Sequence, residues 1–466
     1  MRQLIYAVLM SVTLFVGQAQ ATNFYVRTDG NDACNGTADS VGSSGNCAKR
    51  TIQAGVNLAF AGDTVRIHAG NYTSPSPTFT SARSGSSGSL ITIQAFPGET
   101  ISLSRITLTH NYNVVQGFRV TNSGSWGTSG IQLNGDFNQA LGNTILGVCS
   151  GNGSCLGMDI GGDRNTVSNN TWDGQSNGAN TSFAVGIHIE GSNNEIGPGN
   201  LIKDMNSIER VFEPYGVANH IFNNEVRNFN NTVSGPHPDI FQTFGTNTSR
   251  DHIIENNYVH DIDGQLGNLE CQNVSRNCDV DNPNMRDWII RNNIFANITA
   301  EFFFYYHLNF YNNLFYRVTT GNTCTPLNYS SYGGSMTARN NAFIACGCST
   351  STGWYTGSSG GGEADYNFVA HTATGGAKSG FSEPNGRNGG NPLLKTPLSN
   401  CTSATCDFHI LSGSALTNFG TTMAGFSVDK DNIARPQGTS WDIGAYEFIS
   451  GGDITPPVAP TNVTVR

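Results

Sequence analysis

From about residue 129 onward, apolar and polar positions alternate with a period of two, the pattern of half-buried strands. One series reads "SGIQLNG" (129–135), "LGMDIGG" (156–162), "VGIHIEG" (185–191) and "ERVFEPYG" (209–216). It continues through "HPDIFQTFG" (237–245), "NLECQNV" (268–274), "EFFFYYH" (301–307) and "TPLNYSS" (325–331). A second series repeats a short strand, an Asn-Asn pair and another short strand. Its members are "NHIFNNEV" (219–226), "RDHIIENNYV" (250–259), "RDWIIRNNIF" (286–295), "LNFYNNLF" (308–315) and "MTARNNAF" (336–343). The first Asn of each pair falls at 223, 256, 292, 312 and 340, so the units are 20 to 36 residues long.

That spacing fits one coil of a parallel β-helix with loops of variable length. A strand buries alternate residues, and the chain must then bend sharply to start the next face. Asn tolerates the left-handed backbone such a bend requires, and stacked Asn side chains can hydrogen-bond in a ladder along the axis. A β-sandwich or propeller also uses many short strands, but neither repeats an Asn-Asn bend at this spacing.

Composition narrows the picture. Charged residues are 12% of the 466 and Gly numbers 56, too few straight-chain polar residues and too many turn formers for long helices. Apolar residues at 37% are enough for a core, which argues against disorder. The net charge of −10 argues against nucleic acid or an anionic membrane as the main partner. Residues 1–21, with Arg2, an apolar run and the Ala19-Gln20-Ala21 ending, predict a signal peptide and a secreted protein without a membrane span. The eleven Cys agree with export, since most fall in close pairs: Cys34/Cys47, Cys149/Cys155, Cys271/Cys278 and Cys401/Cys406. Cys324 lies near Cys346 and Cys348, and the odd count leaves Cys346 or Cys348 as a thiol. No CxxC pair with suitably spaced His supports zinc.

The opening "NFYVRTDGNDACNGTADSVGSSGNCAKRTIQAGVNLAFAGDTVRIHAGNYT" (23–73) resembles that of bacterial right-handed parallel β-helix proteins of the pectate-lyase-like superfamily. The close, "DFHILSGSALTNFG…DKDNIARPQGTSWDIGAYEF" (407–448), resembles the terminal module of the same group. The resemblance implies an all-β, right-handed parallel β-helix over 22–450, with an N-terminal helical cap region (23–75) and a C-terminal module (400–450). A solenoid exposes an apolar cross-section at each end, and the amphipathic "TIQAGVNLAFAG" (51–62) can plug one of them. Asp442 and Glu447 then read as structural. The Gly-then-Pro-rich residues 451–466 read as a flexible tail, and a monomer is the expected state.

In such a solenoid the outward residues of successive strands line a groove suited to a polymer. The central coils bring an unusual set to it: Asp159, His188, Glu190, Glu209, Arg210, Glu213, His237, Asp239, Gln242, Glu270, Tyr305, Tyr306 and His307. Lys203, one of five lysines, precedes Glu209. Phe212, Tyr215, Tyr305 and Tyr306 are rings that could stack on sugars. His237-Pro238-Asp239 also reads as an ordinary tight turn, and Gln242 falls an odd number of positions after Asp239, so both face the groove only if a bulge intervenes. Asp279 and Asp281 alternate as calcium ligands would, and calcium is common in the superfamily the chain resembles, but two carboxylates do not make a ligand set.

Two chemistries on a polysaccharide suit this set. Eliminative cleavage of a uronic-acid polymer needs a cation at the substrate carboxylate (Lys203, Arg210 or calcium), a base (His237 or Lys203) and an acid (Tyr305 or His307). Hydrolysis needs two carboxyl groups, such as Asp239 with Glu213 or Glu270. The expected substrate-binding residues are His188, Glu190, Gln242, Glu270, Tyr305, Tyr306 and His307. The paired-Asp, Gly-His-Gly and Arg-Ile-Lys signatures of polygalacturonases are absent. So are the Asp-Pro-His motif of mannuronan epimerases and the Arg-His-Gly element of alginate and chondroitin lyases. The superfamily's wealth of lyases makes a polysaccharide lyase the leading expectation. A glycoside hydrolase and a non-catalytic adhesive protein are the alternatives.

Overall fold

The computed structural model describes residues 20–450 apart from 71, 73–77, 123–127, 148–155, 175–181, 206, 231–237, 244–246, 270–284, 319–324, 330–333, 347–353, 358–361 and 402–404. Two long parallel sheets dominate it, and the chain winds as a parallel β-helix. Thirteen strands form one sheet, running from Asn23–Val26 to Glu363–Asp365, each paired in parallel with the next coil's strand. Twenty-one strands form the other, in two series that merge in the long strands Tyr258–Leu269 and Ile294–Phe304. Among the described residues the one antiparallel strand pair is Leu394–Thr396 with Asp407–Ile410, in the C-terminal segment.

The core follows from the period-two pattern. Ile131 and Leu133, Met158 and Ile160, Ile187 and Ile189, and Phe302 and Phe304 all point inward and are fully buried. They meet Val115, Val167, Ile221, Ile254, Ile290 and Phe310 from the thirteen-stranded sheet in one continuous cluster. Burying each such side chain contributes roughly 1.5–3 kcal/mol. One short helix, Ile52–Val56, buries Ile52 and Val56 in the same cluster, and the Thr51 side chain accepts a hydrogen bond from the Ala54 N–H at its start.

The Asn-Asn pairs divide two tasks. The first residue, at 223, 256, 292, 312 and 340, takes the left-handed backbone with φ of 51–59°. The second is buried and carries a ladder in which Asn143, Asn170, Asn200, Asn224, Asn257, Asn293, Asn313, Asn341 and Asn367 each bond the next. A second ladder joins Asn113, Asn138, Asn165, Asn194 and Asn219. It ends on His252, whose Nδ1 accepts from the Asn219 N–H at 3.1 Å. Complete burial pushes that imidazole down to about 3, so it stays neutral and serves as an acceptor.

Disulfides join Cys34 to Cys47 and Cys401 to Cys406, and Cys346 is a buried free thiol. Cys149, Cys155, Cys271, Cys278, Cys324 and Cys348 lie outside the described residues. The C-terminal segment packs sideways on the solenoid over a second apolar cluster. Ile294, Ala296, Leu314, Tyr316, Ala342, Ile344 and Phe368 form its floor, and Phe408, Ile410, Leu416, Ile443 and Tyr446 cover it. Arg435 and Glu447 form an ion pair of 2.6 Å with neither side chain exposed, and Asp442 accepts the Asn418 and Phe448 N–H groups.

Candidate functional site

Strand register builds the site. Thr107, Gln132, Asp159, His188 and Glu213 occupy one position on successive parallel strands. Gln242 lies one residue past the Phe212/Phe241 pair, as Glu213 does, and the column continues through Asn268, Phe303, Asn328 and Thr356. In the regular coils their neighbours on either side are core residues, so the column faces outward. Successive strands stand about 4.8 Å apart, which turns residues distant in sequence into adjacent rungs.

Three of these rungs are linked. His188 Nδ1 is 3.0 Å from Asp159 Oδ1, and its Nε2 is 3.7 Å from Glu213 Oε2. The other oxygen of Glu213 accepts from Arg210 Nη1 at 2.9 Å and from the Tyr215 hydroxyl at 3.0 Å. Arg210 also donates to Glu209 at 2.8 Å and to Gln242 Oε1 at 2.5 Å. Burial acts to lower the pKa of His188, but the hydrogen bond to Asp159 and the charges of Glu213, Asp159 and Glu190 outweigh it and leave the imidazole above its ordinary value. Glu213 is 5% exposed and Gln242 3%, whereas His188 and Asp159 are half-buried.

Arg210 and Glu213 reach one side although they are an odd number of residues apart. Alternation breaks between them, since Val211 and Phe212 are both in the core. Ile240 and Phe241 do the same on the next coil, between Asp239 and Gln242. Asp239, the register partner of Arg210, is completely buried.

Several expected site residues lie elsewhere. Tyr306 is 1% exposed, its hydroxyl 3.0 Å from Thr243 Oγ1, and Phe212 is 1% exposed in the aromatic stack with Phe241; both rings belong to the interior rather than the groove. His307 opens the strand His307–Tyr311 of the other sheet and bonds Ser335 Oγ at 2.8 Å, because the chain has already turned the corner after Phe304. Lys203 belongs to a different strand series and pairs with Asp173 at 2.9 Å and Asp204 at 2.8 Å, outside the His188 group. Glu190 is exposed just past the strand end, and Tyr305 is half-buried with its ring edge-on to Phe303. His237, Glu270, Asp279 and Asp281 lie outside the described residues. Sequence reading missed Gln132, Asn268, Phe303 and Asn328. The "NLECQNV" segment carries its column residue at Asn268, and Phe303 hides in an unbroken apolar run.

The described residues do not make a calcium cage. Asp159, Glu209 and Glu213 are already turned to His188, Arg210 and Tyr215. The one described trio of ligand-type side chains close enough to share an ion is His260, Asp261 and Cys401, and that sulfur is committed to Cys406. No helix among the described residues is long and apolar enough to cross a membrane.

No protein-family model and no curated protein matches the chain. Among solved structures it is similar to pectate lyase Pel9A, at 16% identity over 92% of this chain and 97% of that one, with a TM-score of 0.46. A rhamnogalacturonan lyase matches at 15% identity over 74% and 87%, with a TM-score of 0.42. A mannuronic acid specific polysaccharide family 6 lyase from human gut microbiota matches at 14% over 72% and 75%, with a TM-score of 0.41. Likenesses at these values carry no chemistry to this chain.

Proposed function

We propose that this chain is a secreted polysaccharide-cleaving enzyme that binds an extended substrate along the Gln132–Asn328 column and acts beside His188 by β-elimination at uronic-acid units. The observation that supports it most is the linked Asp159, His188 and Glu213 group: three chemically able side chains on consecutive rungs of an outward column, in a chain with only 12% charged residues. Export suits the two disulfides.

Elimination removes the proton α to the uronate carboxyl. A carbon–carbon double bond forms as the bond to the leaving oxygen breaks, and that oxygen takes up a proton. In this reading Arg210 meets the substrate carboxylate beside Gln242. Asp159 holds His188 by Nδ1, so Nε2 is the end that gives a proton to the leaving oxygen, and the surrounding carboxylates favour the charged form that role uses. His237 is the proposed base. Phe303 and Tyr305 offer rings to sugar faces farther along the column.

Hydrolysis of a neutral chain is the second reading, favoured by charge. Among the described residues, five carboxylates (Asp159, Glu190, Glu209, Glu213 and Asp239) accompany His188 and Arg210 as the site's only cation-forming groups, a balance that repels a polyanion. Asp159 and Glu213, two rungs or roughly 9–10 Å apart along the backbone, would supply the carboxyl pair. Incubation with a panel of acidic and neutral polysaccharides, with and without a chelator, separates the cases. Ultraviolet absorbance from an unsaturated uronate product indicates elimination, and new reducing ends without it indicate hydrolysis. Loss of either on chelation brings a metal into the reaction. Binding with neither product refutes cleavage and leaves an adhesive protein.

A further inference from the structure

A cleft of about 500 Å³ opens where the C-terminal segment meets the solenoid, lined among others by Asn297, Thr299, Arg317, His371, Thr372 and Ser399. Arg317 stands out there. It occupies the second bend of its coil with φ of 52°, where preceding coils place Asp204, Asn228, Asp261 and Asn297. Asn and Asp accept that conformation readily, whereas a long side chain in it is strained, and such strain persists where the side chain is needed. Its guanidinium donates to the Tyr316 hydroxyl at 3.2 Å and lies 5.5 Å from that ring's centre. No described carboxylate lies within ion-pair distance of Arg317, in a protein of net charge −10. Asp261 and Asp263 are turned to Asn297 and Thr299 instead. Two coils farther along the same column, the buried Nδ1 of His371 has no hydrogen-bond partner. The Thr299 and Thr372 hydroxyls are turned to Asp263 and to the Gly375 carbonyl, so the guanidinium, the unsatisfied imidazole nitrogen and the Ser399 hydroxyl form the donor set that an oxyanion completes.

We infer that this cleft binds an oxyanion, a carboxylate or sulfate group, between Arg317 and His371. The site is separate from the His188 column and does not depend on the reading of that column. Binding is measured by titration calorimetry on the whole protein with three probes: sodium sulfate, glucuronate and, as neutral control, glucose. Saturable binding of sulfate or glucuronate without glucose is expected. Binding of glucuronate in preference to sulfate places the anion on a sugar, and the reverse makes it a free oxyanion; both sustain the site. Arg317→Asn installs the residue type its column already holds, so the melting temperature should stay level or rise while affinity falls at least about tenfold. Arg317→Lys should retain part of the affinity. Absence of saturable binding to the wild type, or equal binding by wild type and R317N, overturns the proposal.

Discussion

The outer surface of the twenty-one-stranded sheet carries two parallel columns with opposite fates. The column through Asp159, His188 and Glu213 stays polar along most of its length. The other begins mostly polar, with Arg119, Thr144 and Thr171, passes Leu201, Glu225 and Tyr258, and then becomes Ile294, Leu314, Ala342 and Phe368. The change falls where the C-terminal segment begins to cover it. A solenoid repeats each position on every coil, so the inward half of each strand is set by the core. The outward half is free, and here it carries chemistry on one flank and a docking floor on the other.

The comparison breaks most violently at the buried pair under the C-terminal segment. Glu447→Leu strands the Arg435 charge where no water reaches, and should cost about 3–5 kcal/mol, seen as a lower denaturant midpoint and early proteolysis of residues 394–448. Leu314→Ala, on the covered half of the second column, should cost about 2–4 kcal/mol. Thr144→Ala, the same position on an earlier coil, should move stability by no more than about 0.5 kcal/mol. Equal effects at the two positions would erase the distinction.

The opposite sheet supplies a smaller, pH-dependent test. Burial tends to lower the pKa of His220, but hydrogen bonds to Glu195 and Glu255 win and raise it to about 9 from 6.5. Stability from this group is therefore fully present below pH 6.5 and lost as pH rises through about 9. His220→Gln should flatten that part of the stability profile, as read by melting temperature against pH.

Much of the fold was legible because it rests on local rules. The Asn-Asn pairs marked the bends, and the period-two runs gave the inward face. The site was legible only in part. Asp159, His188 and Glu213 emerged because regular coils keep their register. Tyr306 and His307 did not, because the corner after Phe304 is hidden in an apolar run. The consecutive core residues Val211-Phe212 and Ile240-Phe241 break the alternation that placed Asp239 and Gln242. Docking was visible only in retrospect: "IFANI" and "LFYRV" are apolar on both faces, where the earlier "LIKDM" and "EVRNF" are not. His252 closing an Asn ladder left no signal, since its role depends on complete burial.

The most direct trial of the His188 column is the rate of product release by His188→Asn beside the wild type, on whichever polysaccharide the wild type cleaves. A fall of roughly 10²–10⁴-fold at an unchanged melting temperature is the expected result. Undiminished turnover by the variant would contradict it.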